Sequence, residues 1–237
     1  MHLGIAVSCE SVSRKWLGGW TDMVMRLSMA RVDTSFTLNH TPVVCVSRFD
    51  AAAELLKTDA EAFLLVDHDN PPSGVAAAQL LSDLAGGRDV VAGWYSLQMG
   101  EDSKDVTLSF GRSYKVIGTT AMRRRPAEER DFFDADSPDI QEVDWTGLGM
   151  VMMTRKVLET LSPAAFLPEQ EAGIDTTHAG WIWDDIAFCK RAKAAGFRLF
   201  VDRRVRLEHL KVRDITLPLP AGEAAKEPAV SSAGTGE

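Results

Sequence analysis

Phe63-Leu64-Leu65-Val66-Asp67-His68-Asp69 is four apolar residues followed at once by two carboxylates that flank a histidine. A run of strand length with apolar residues on both faces belongs inside a sheet covered on both sides. The acids that stop it mark the point where the chain emerges from the sheet. Downstream, Ser73 is placed to cap a helix over Val75 to Leu84, which Gly86-Gly87 terminates. Asp89 to Tyr95 reads as the next strand. Upstream, Leu3 to Ser8 is a short apolar run, and Ser13 precedes Trp16, Trp20, Val24 and Leu27 at helical spacing. Pro42-Val43-Val44-Cys45-Val46 reads as a second β-rich run, and Ala51 to Leu56 as a helix with Asp50 as its cap. This βαβαβαβ alternation predicts an α/β protein with a mostly parallel sheet flanked by helices.

The second half is less regular. Val106 to Phe110 and Tyr114 to Ile117 alternate around Gly111-Arg112-Ser113 and suggest a hairpin. Met122 to Ser137, with Arg123-Arg124-Arg125-Pro126 and then acidic residues, reads as a mobile loop. Met150 to Met153 is a strand, Arg155 to Leu161 a short helix, and Ser162 to Thr177 loop-like. Asp185 to Ala195 is a helix closed by Gly196, with a strand over Phe197 to Val201. From Leu217 the chain turns to Pro, Ala, Gly, Ser and Glu, the composition of a disordered tail. The expected organisation is one domain over residues 1–216, made of halves 1–100 and 101–216, followed by a tail over 217–237.

A chain of 237 residues with 45% hydrophobic and 25% charged residues is globular, not a collagen, a coiled coil or a disordered chain. Asp plus Glu number 34 against 26 Lys plus Arg, a net charge of -8. That balance excludes the broad positive field of a dedicated nucleic-acid binder and leaves local binding of a polyanion, most simply through a divalent cation. Cys9, Cys45 and Cys189 form no CxxC pair, so a disulfide framework is not expected. No apolar run approaches the roughly 18 residues of a membrane span. The start, MHLGIAVSCE, lacks a basic leader and reads as a first strand. The expectation is a soluble cytoplasmic protein.

Three constellations could carry chemistry. Asp67 and Asp69, two residues apart, point the same way in extended chain and offer hard oxygens to Mg²⁺ or Mn²⁺. Without a cation two such charges repel by about 4 kcal/mol at ~4 Å in an effective dielectric of about 20. The plainer alternative is a polar strand end followed by an Asp-Asn-Pro-Pro turn. Asp184 and Asp185 open a helix, where the dipole favours negative charge. Ordinary capping explains such acids, but Trp181 and Trp183 beside them suit a sugar site, and a carboxylate between apolar walls suits a general base. His209 ends Val205-Arg206-Leu207-Glu208-His209, and a lone histidine there is as a rule a surface or satisfied residue. Cys189 reads as a small core residue. Trp145-Thr146-Gly147-Leu148-Gly149 is either a glycine turn or a surface of close approach. Arg123 to Arg125 is a solvated run or a phosphate contact.

In their order along residues 3 to 210, these blocks resemble the GT-A glycosyltransferases, especially the family 2-like group. Phe63 to Asp69 is similar to that family's strand plus DxD. Val90-Val91-Ala92-Gly93-Trp94-Tyr95 is similar to its following strand, and Thr146 to Arg155 to its glycine turn and apolar strand. Asp184-Asp185-Ile186-Ala187-Phe188-Cys189-Lys190-Arg191 through Gly196-Phe197-Arg198 is similar to its "EDxxFCxRaxxaGfr" stretch, and His209 falls where it places a metal-binding histidine. The chain departs from the family at Val7-Ser8-Cys9-Glu10, where Pro-Thr-Tyr-Asn is usual. It departs also at Asp-Asp for Glu-Asp, and at Arg48-Phe49-Asp50 for Ala-Arg-Asn.

The resemblance implies a Rossmann-like GT-A fold with a nucleotide-sugar half and a less regular acceptor half. It implies a metal-dependent glycosyltransferase, inverting through a single displacement, that moves a sugar from a UDP- or GDP-sugar to an acceptor hydroxyl. Asp69 and His209, with Asp67 sharing, would hold Mn²⁺ or Mg²⁺. Ser8, Arg48, Asp67 and His68 would contact the donor. Trp94, Gly147, Trp183 and Asp184 would contact the acceptor, and Asp185 would be the base. Three alternatives stand beside it. A sugar-phosphate nucleotidyltransferase would need a glycine-rich loop after the first strand, and Val7 to Arg14 contains no Gly. A non-catalytic glycan- or nucleotide-binding module would have no need of both Asp69 and Asp185. A zinc hydrolase using His68, His178 and His209 lacks HxH or HxxxH spacing.

Overall fold

A computed structural model describes residues 1–8, 12–39, 41, 43–98, 106–108, 110–111, 139–170 and 181–210. In chain order the elements are β1 (His2–Ser8), α1 (Arg14–Met29), β2 (Asp33–Asn39), α2 (Val44–Leu55), β3 (Ala62–Asp67), α3 (Gly74–Ala85) and β4 (Val90–Trp94). Then come β5 (Ser96–Gln98), β6 (Val106–Leu108), β7 (Phe110–Gly111), β8 (Ile140–Val143), β9 (Trp145–Thr146), β10 (Met150–Thr154) and α4 (Arg155–Leu161). A 3-10 turn (Pro163–Phe166), β11 (Glu169–Gln170), β12 (Trp181–Ile182), α5 (Asp184–Ala194) and β13 (Leu199–Arg206) complete it.

Seven strands form one sheet in the order β2-β1-β3-β10-β4-β13-β8. β2, β1 and β3 are mutually parallel, as are β4 and β13, while β10 runs antiparallel between β3 and β4 and β8 antiparallel to β13. The α/β architecture expected from the sequence, a mostly parallel sheet flanked by helices, is the one observed. Alternate residues of the inner strands feed two cores, as the strand period of two requires. Leu3, Ile5, Leu64, Val66, Val91 and Met152 face α1 and α3 with Met23, Leu27 and Leu80. Phe63, Leu65, Val90, Ala92, Val151 and Leu199 face α2, α4 and α5 with Leu55, Leu158, Ile186 and Phe188. Each fully buried side chain of this size contributes about 1.5–3 kcal/mol.

The caps follow the sequence. Ser13 accepts the Trp16 N–H at 3.0 Å, and Ser73 accepts the Ala76 N–H at 3.1 Å. Gly19 lies inside α1 because an added Cβ would stand 2.1 Å from the Pro72 carbonyl oxygen, so the loop before α3 packs on bare helix backbone.

One region differs from expectation. Residues 43–46 are not a strand: α2 starts at Val44 and contains Asp50, so Asp50 caps nothing. The strand that precedes α2 is β2, which starts at Asp33, ahead of the expected run. Ser47, Arg48, Ala51, Ala52 and Leu55 recur at helical spacing and are all buried, and this burial overrides the β-branched Val43, Val44 and Val46, which are left exposed. β2 was hard to see because its large apolar residues, Phe36 and Leu38, face outward at a sheet edge. Val106–Leu108 pairs with Ser96–Gln98. Its expected partner, Tyr114 to Ile117, lies outside the described residues, as do the Met122 to Ser137 loop and the tail from Leu217. Among the described residues no helix is long and apolar enough to cross a membrane.

Candidate active site at the carboxyl edge of the sheet

The parallel strands β1, β3, β4 and β13 end on one edge, and β10, being antiparallel, begins there. Ser8 pairs with Asp67, and Val66 with Met150. The Asp67 N–H donates to the Gly149 carbonyl at 2.9 Å, and the His68 N–H to the Ser8 carbonyl at 3.1 Å. This is the edge at which open α/β sheets bind ligands. The topology thus brings Ser8, Asp67, His68, Asp69, Trp94, Gly149 and the segment after β13 to one side of the sheet.

The loop after β3 is fastened to the segment after β13. Asn70, fully buried, donates from Nδ2 to the Glu208 carbonyl at 2.9 Å, and the Leu210 N–H donates to the Asp69 carbonyl at 2.7 Å. These bonds bring the His209 Nε2 to 3.0 Å from the Asp69 Oδ2. The Tyr95 ring packs against the imidazole with centroids 5.2 Å apart. Burial works to raise the Asp69 carboxyl, but the hydrogen bond and charge of His209 outweigh it and hold the carboxyl below its ordinary value.

Asp184 and Asp185 form the first turn of α5, behind Trp183 as the N-cap residue. The two acids have different surroundings. Asp184 is buried and its Oδ2 receives the Arg48 Nη1. Asp185 is half-buried, and its Oδ1 accepts the Ile186 N–H at 2.8 Å. Burial, with the neighbouring Asp184 charge, pushes the Asp185 carboxyl up to about 6. The second guanidinium nitrogen of Arg48, Nη2, donates to Asp67 Oδ2 at 2.6 Å. Arg48 is itself buried, and its Nε is buried with no partner among the described residues. Burial works against the Arg48 charge, but Asp67, Asp184 and Asp185 more than restore it. Burial also raises the Asp67 carboxyl above its usual range, against the pull of Arg48.

The remaining expected residues are placed as follows. Trp183 is 60% exposed, an indole free to meet a ligand beside the acid pair. Gly147 is buried and takes the Thr146 hydroxyl on its carbonyl at 3.2 Å. Trp94 donates its indole N–H to the Arg203 carbonyl at 2.8 Å, with the Arg206 guanidinium 5.5 Å above the ring. Cys189 sits inside α5 against the Thr146 backbone, and burial pushes its thiol up to about 12, which suits the core role its sequence setting gave it. Trp181's side chain and His178 lie outside what is described. Sequence reasoning missed Trp16, whose indole N–H reaches the Asp67 carbonyl at 3.1 Å, and it missed Asn70 and Tyr95. The only sequence signal for Asn70 is its place directly after the acid triplet.

Asp69 and His209 present an oxygen and an imidazole nitrogen to one another from two loops, a donor pair that fits a divalent cation. Asp67 is the less available third donor, since Arg48 occupies its Oδ2. Among the described residues no group of three or more His, Cys, Asp or Glu is arranged to hold a metal.

The chain is therefore an α/β protein whose seven-stranded, mostly parallel sheet carries two acid pairs at its carboxyl edge. Its fold is similar to that of A197 from STIV, at 17% identity and a TM-score of 0.53, over 90% of this chain and 96% of that one. A likeness is found to a mutant Drosophila β-1,4-galactosyltransferase 7 in complex with manganese, UDP-Gal and xylobiose. It stands at 12% identity and a TM-score of 0.47, over 90% of this chain and 72% of that one. Another is found to CMP:2-keto-3-deoxy-manno-octonic acid synthetase in complex with CTP, at 14% identity and a TM-score of 0.47, over 85% and 89% of the two chains. No family model and no curated protein sequence matches the chain.

Proposed function

We propose that the protein is a metal-dependent glycosyltransferase of GT-A type that moves a sugar from a nucleotide-sugar donor to an acceptor hydroxyl. The observation that carries this reading is the convergence of separate sequence blocks. Arg48 ties Asp67 at the end of β3 to Asp184 at the start of α5, beside Asp185, and His209 from beyond β13 meets Asp69 in the loop after β3. A set of caps or solvated strand ends would have no reason to meet.

In this reading Asp69 and His209 would hold a divalent cation, which would supply Lewis-acid stabilisation of a diphosphate leaving group. Ser8 and His68 are assigned to the donor. Trp183, Gly147, Trp94 and Asp184 are assigned to the acceptor side, with the exposed Trp183 ring as its apolar surface. The acceptor oxygen attacks the anomeric carbon as the bond from that carbon to the diphosphate oxygen breaks. The hydroxyl proton passes to Asp185. Its Oδ1 is engaged by the Ile186 N–H, which leaves Oδ2 to take the proton. A carboxyl held near pH 6 is ionised at neutral pH yet basic enough to accept a proton in the transition state. One displacement opposite the leaving group inverts the anomeric centre. The test is release of nucleoside diphosphate from a panel of UDP- and GDP-sugars with Mn²⁺, with and without candidate acceptors. Metal-dependent release from at least one donor is expected; no release from any would reject the proposal.

A further inference from the structure

Arg48 was expected at the donor, but its environment gives it another task. The side chain comes from the middle of α2 and is 6% exposed. One terminal nitrogen is spent on Asp67, the last residue of β3, and the other on Asp184, the first residue of α5. These partners are 117 residues apart in sequence and belong to the donor and acceptor sides of the proposed reaction. Only a planar fork with two outward-facing nitrogens spans two carboxylates in this way; an ammonium is a single point. The third nitrogen, Nε, is covered by protein, and at 6% exposure the side chain has little surface left to offer a diphosphate.

We propose that Arg48 is a positioning residue that ties the end of β3 to the first turn of α5. It fixes the distance between the donor-side acids and the Asp184–Asp185 pair, and it makes no contact with the donor itself. The clamp acts on Asp185 through the helix start. With Asp184 held, the first turn is anchored, the Ala187 N–H closes on the Trp183 carbonyl at 2.8 Å, and the Asp185 carboxyl is presented in one orientation. Near-attack geometry is sensitive to displacements of about 1 Å, so a loosened first turn costs turnover without costing donor affinity. The names of the two sides rest on the glycosyl-transfer reading; the clamp rests on the contacts alone.

The experiment compares the wild-type protein with Arg48→Lys, which keeps the charge but cannot reach both carboxylates. Amide hydrogen exchange of residues 184–187 and 64–68 is measured alongside donor affinity and turnover. The expected result is exchange at both segments faster by tenfold or more, turnover down at least tenfold, and donor affinity within threefold of wild type. Should Arg48→Lys fail to fold, Arg48→Gln combined with Asp184→Asn removes two of the three charges of the ion-pair network and is measured in its place by exchange and donor affinity, with the same expectation for both. Unchanged exchange at residues 184–187 in a folded variant would overturn the clamp. So would a loss of donor affinity matching the loss of turnover, which would make Arg48 a donor contact. If the wild-type protein turns over no nucleotide sugar, the glycosyltransferase reading fails, and the exchange result alone decides for or against the clamp.

Discussion

Gly149→Ala is a sharp probe of how the carboxyl edge is built. Gly149 leads into β10, and its carbonyl accepts the Asp67 N–H at 2.9 Å. A Cβ on Gly149 would stand 2.2 Å from the Asn70 Oδ1 and 2.7 Å from the Tyr95 Cε1. Neither neighbour can swing away freely. Asn70 is 1% exposed and bonded to the Glu208 carbonyl, and Tyr95 is wedged against His209. Overpacking of this kind costs about 1–3 kcal/mol. Breaking the Asn70 bond adds roughly 0.5–1.5 kcal/mol. The expected total is about 2–4 kcal/mol, or a fall in Tm of roughly 5–15 °C for a chain of this size. Gly18→Ala is the matched control, since a Cβ there meets nothing within 4 Å and the residue is inside α1. That change should stabilise by up to about 1 kcal/mol. Urea unfolding of both variants, at unchanged m-value, measures the difference. If Gly149→Ala lies within about 0.5 kcal/mol of wild type, the loop after β3 is not packed as described and the Asp69–His209 pair loses its support.

Four further outcomes follow from named groups. Asp185→Asn should lower turnover by about 10²-fold or more while donor affinity stays within a few-fold, as measured by steady-state kinetics and calorimetry. Turnover should rise with pH through about 6, the value to which burial pushes the Asp185 carboxyl, because the base must be ionised. The same raised value means that its contribution to stability is present below the ordinary carboxylate value of 3.8 and is lost as pH rises through about 6, so the two profiles should run in opposite directions. Away from the site, burial and the neighbouring Asp202 carboxylate push the Asp83 carboxyl up to about 6 as well. Asp83→Asn should therefore stabilise the protein by about 1 kcal/mol above pH 6 and do little near pH 4, as read from urea midpoints at both pH values. Phe188→Ala, which removes a fully buried ring stacked on Phe166 at 4.9 Å, should cost about 3–5 kcal/mol by the same assay.

The strands and helices that were legible in the sequence are those whose own residues carry the signal. The apolar runs at Leu3 to Ser8, Phe63 to Val66 and Met150 to Met153 are buried on both faces, and Ser13 and Ser73 are true caps. α2 was not legible at its start, because Val43-Val44-Cys45-Val46 has strand propensity and only tertiary burial of Ser47 and Arg48 makes it helical. The antiparallel insertion of β10 was equally hidden, since an apolar run has no direction written in it. The site acids were readable as single residues, each with a plain capping or strand-end explanation. Their meeting was not readable, because it depends on Arg48 reaching two carboxylates from a helix whose first turn the sequence suggested was a strand. Asn70 and Tyr95 hold the edge by the Asn70–Glu208 hydrogen bond and by packing on His209, and neither leaves a pattern along the chain.

Donor binding measured by calorimetry in Mn²⁺ and again in EDTA tests the central claim most directly. The account predicts that at least one UDP- or GDP-sugar binds in Mn²⁺, that EDTA removes most of that affinity, and that Asp69→Ala or His209→Ala reproduces the EDTA result in a folded protein. Equal affinity in Mn²⁺ and EDTA, or no binding by any donor of the panel, would contradict it.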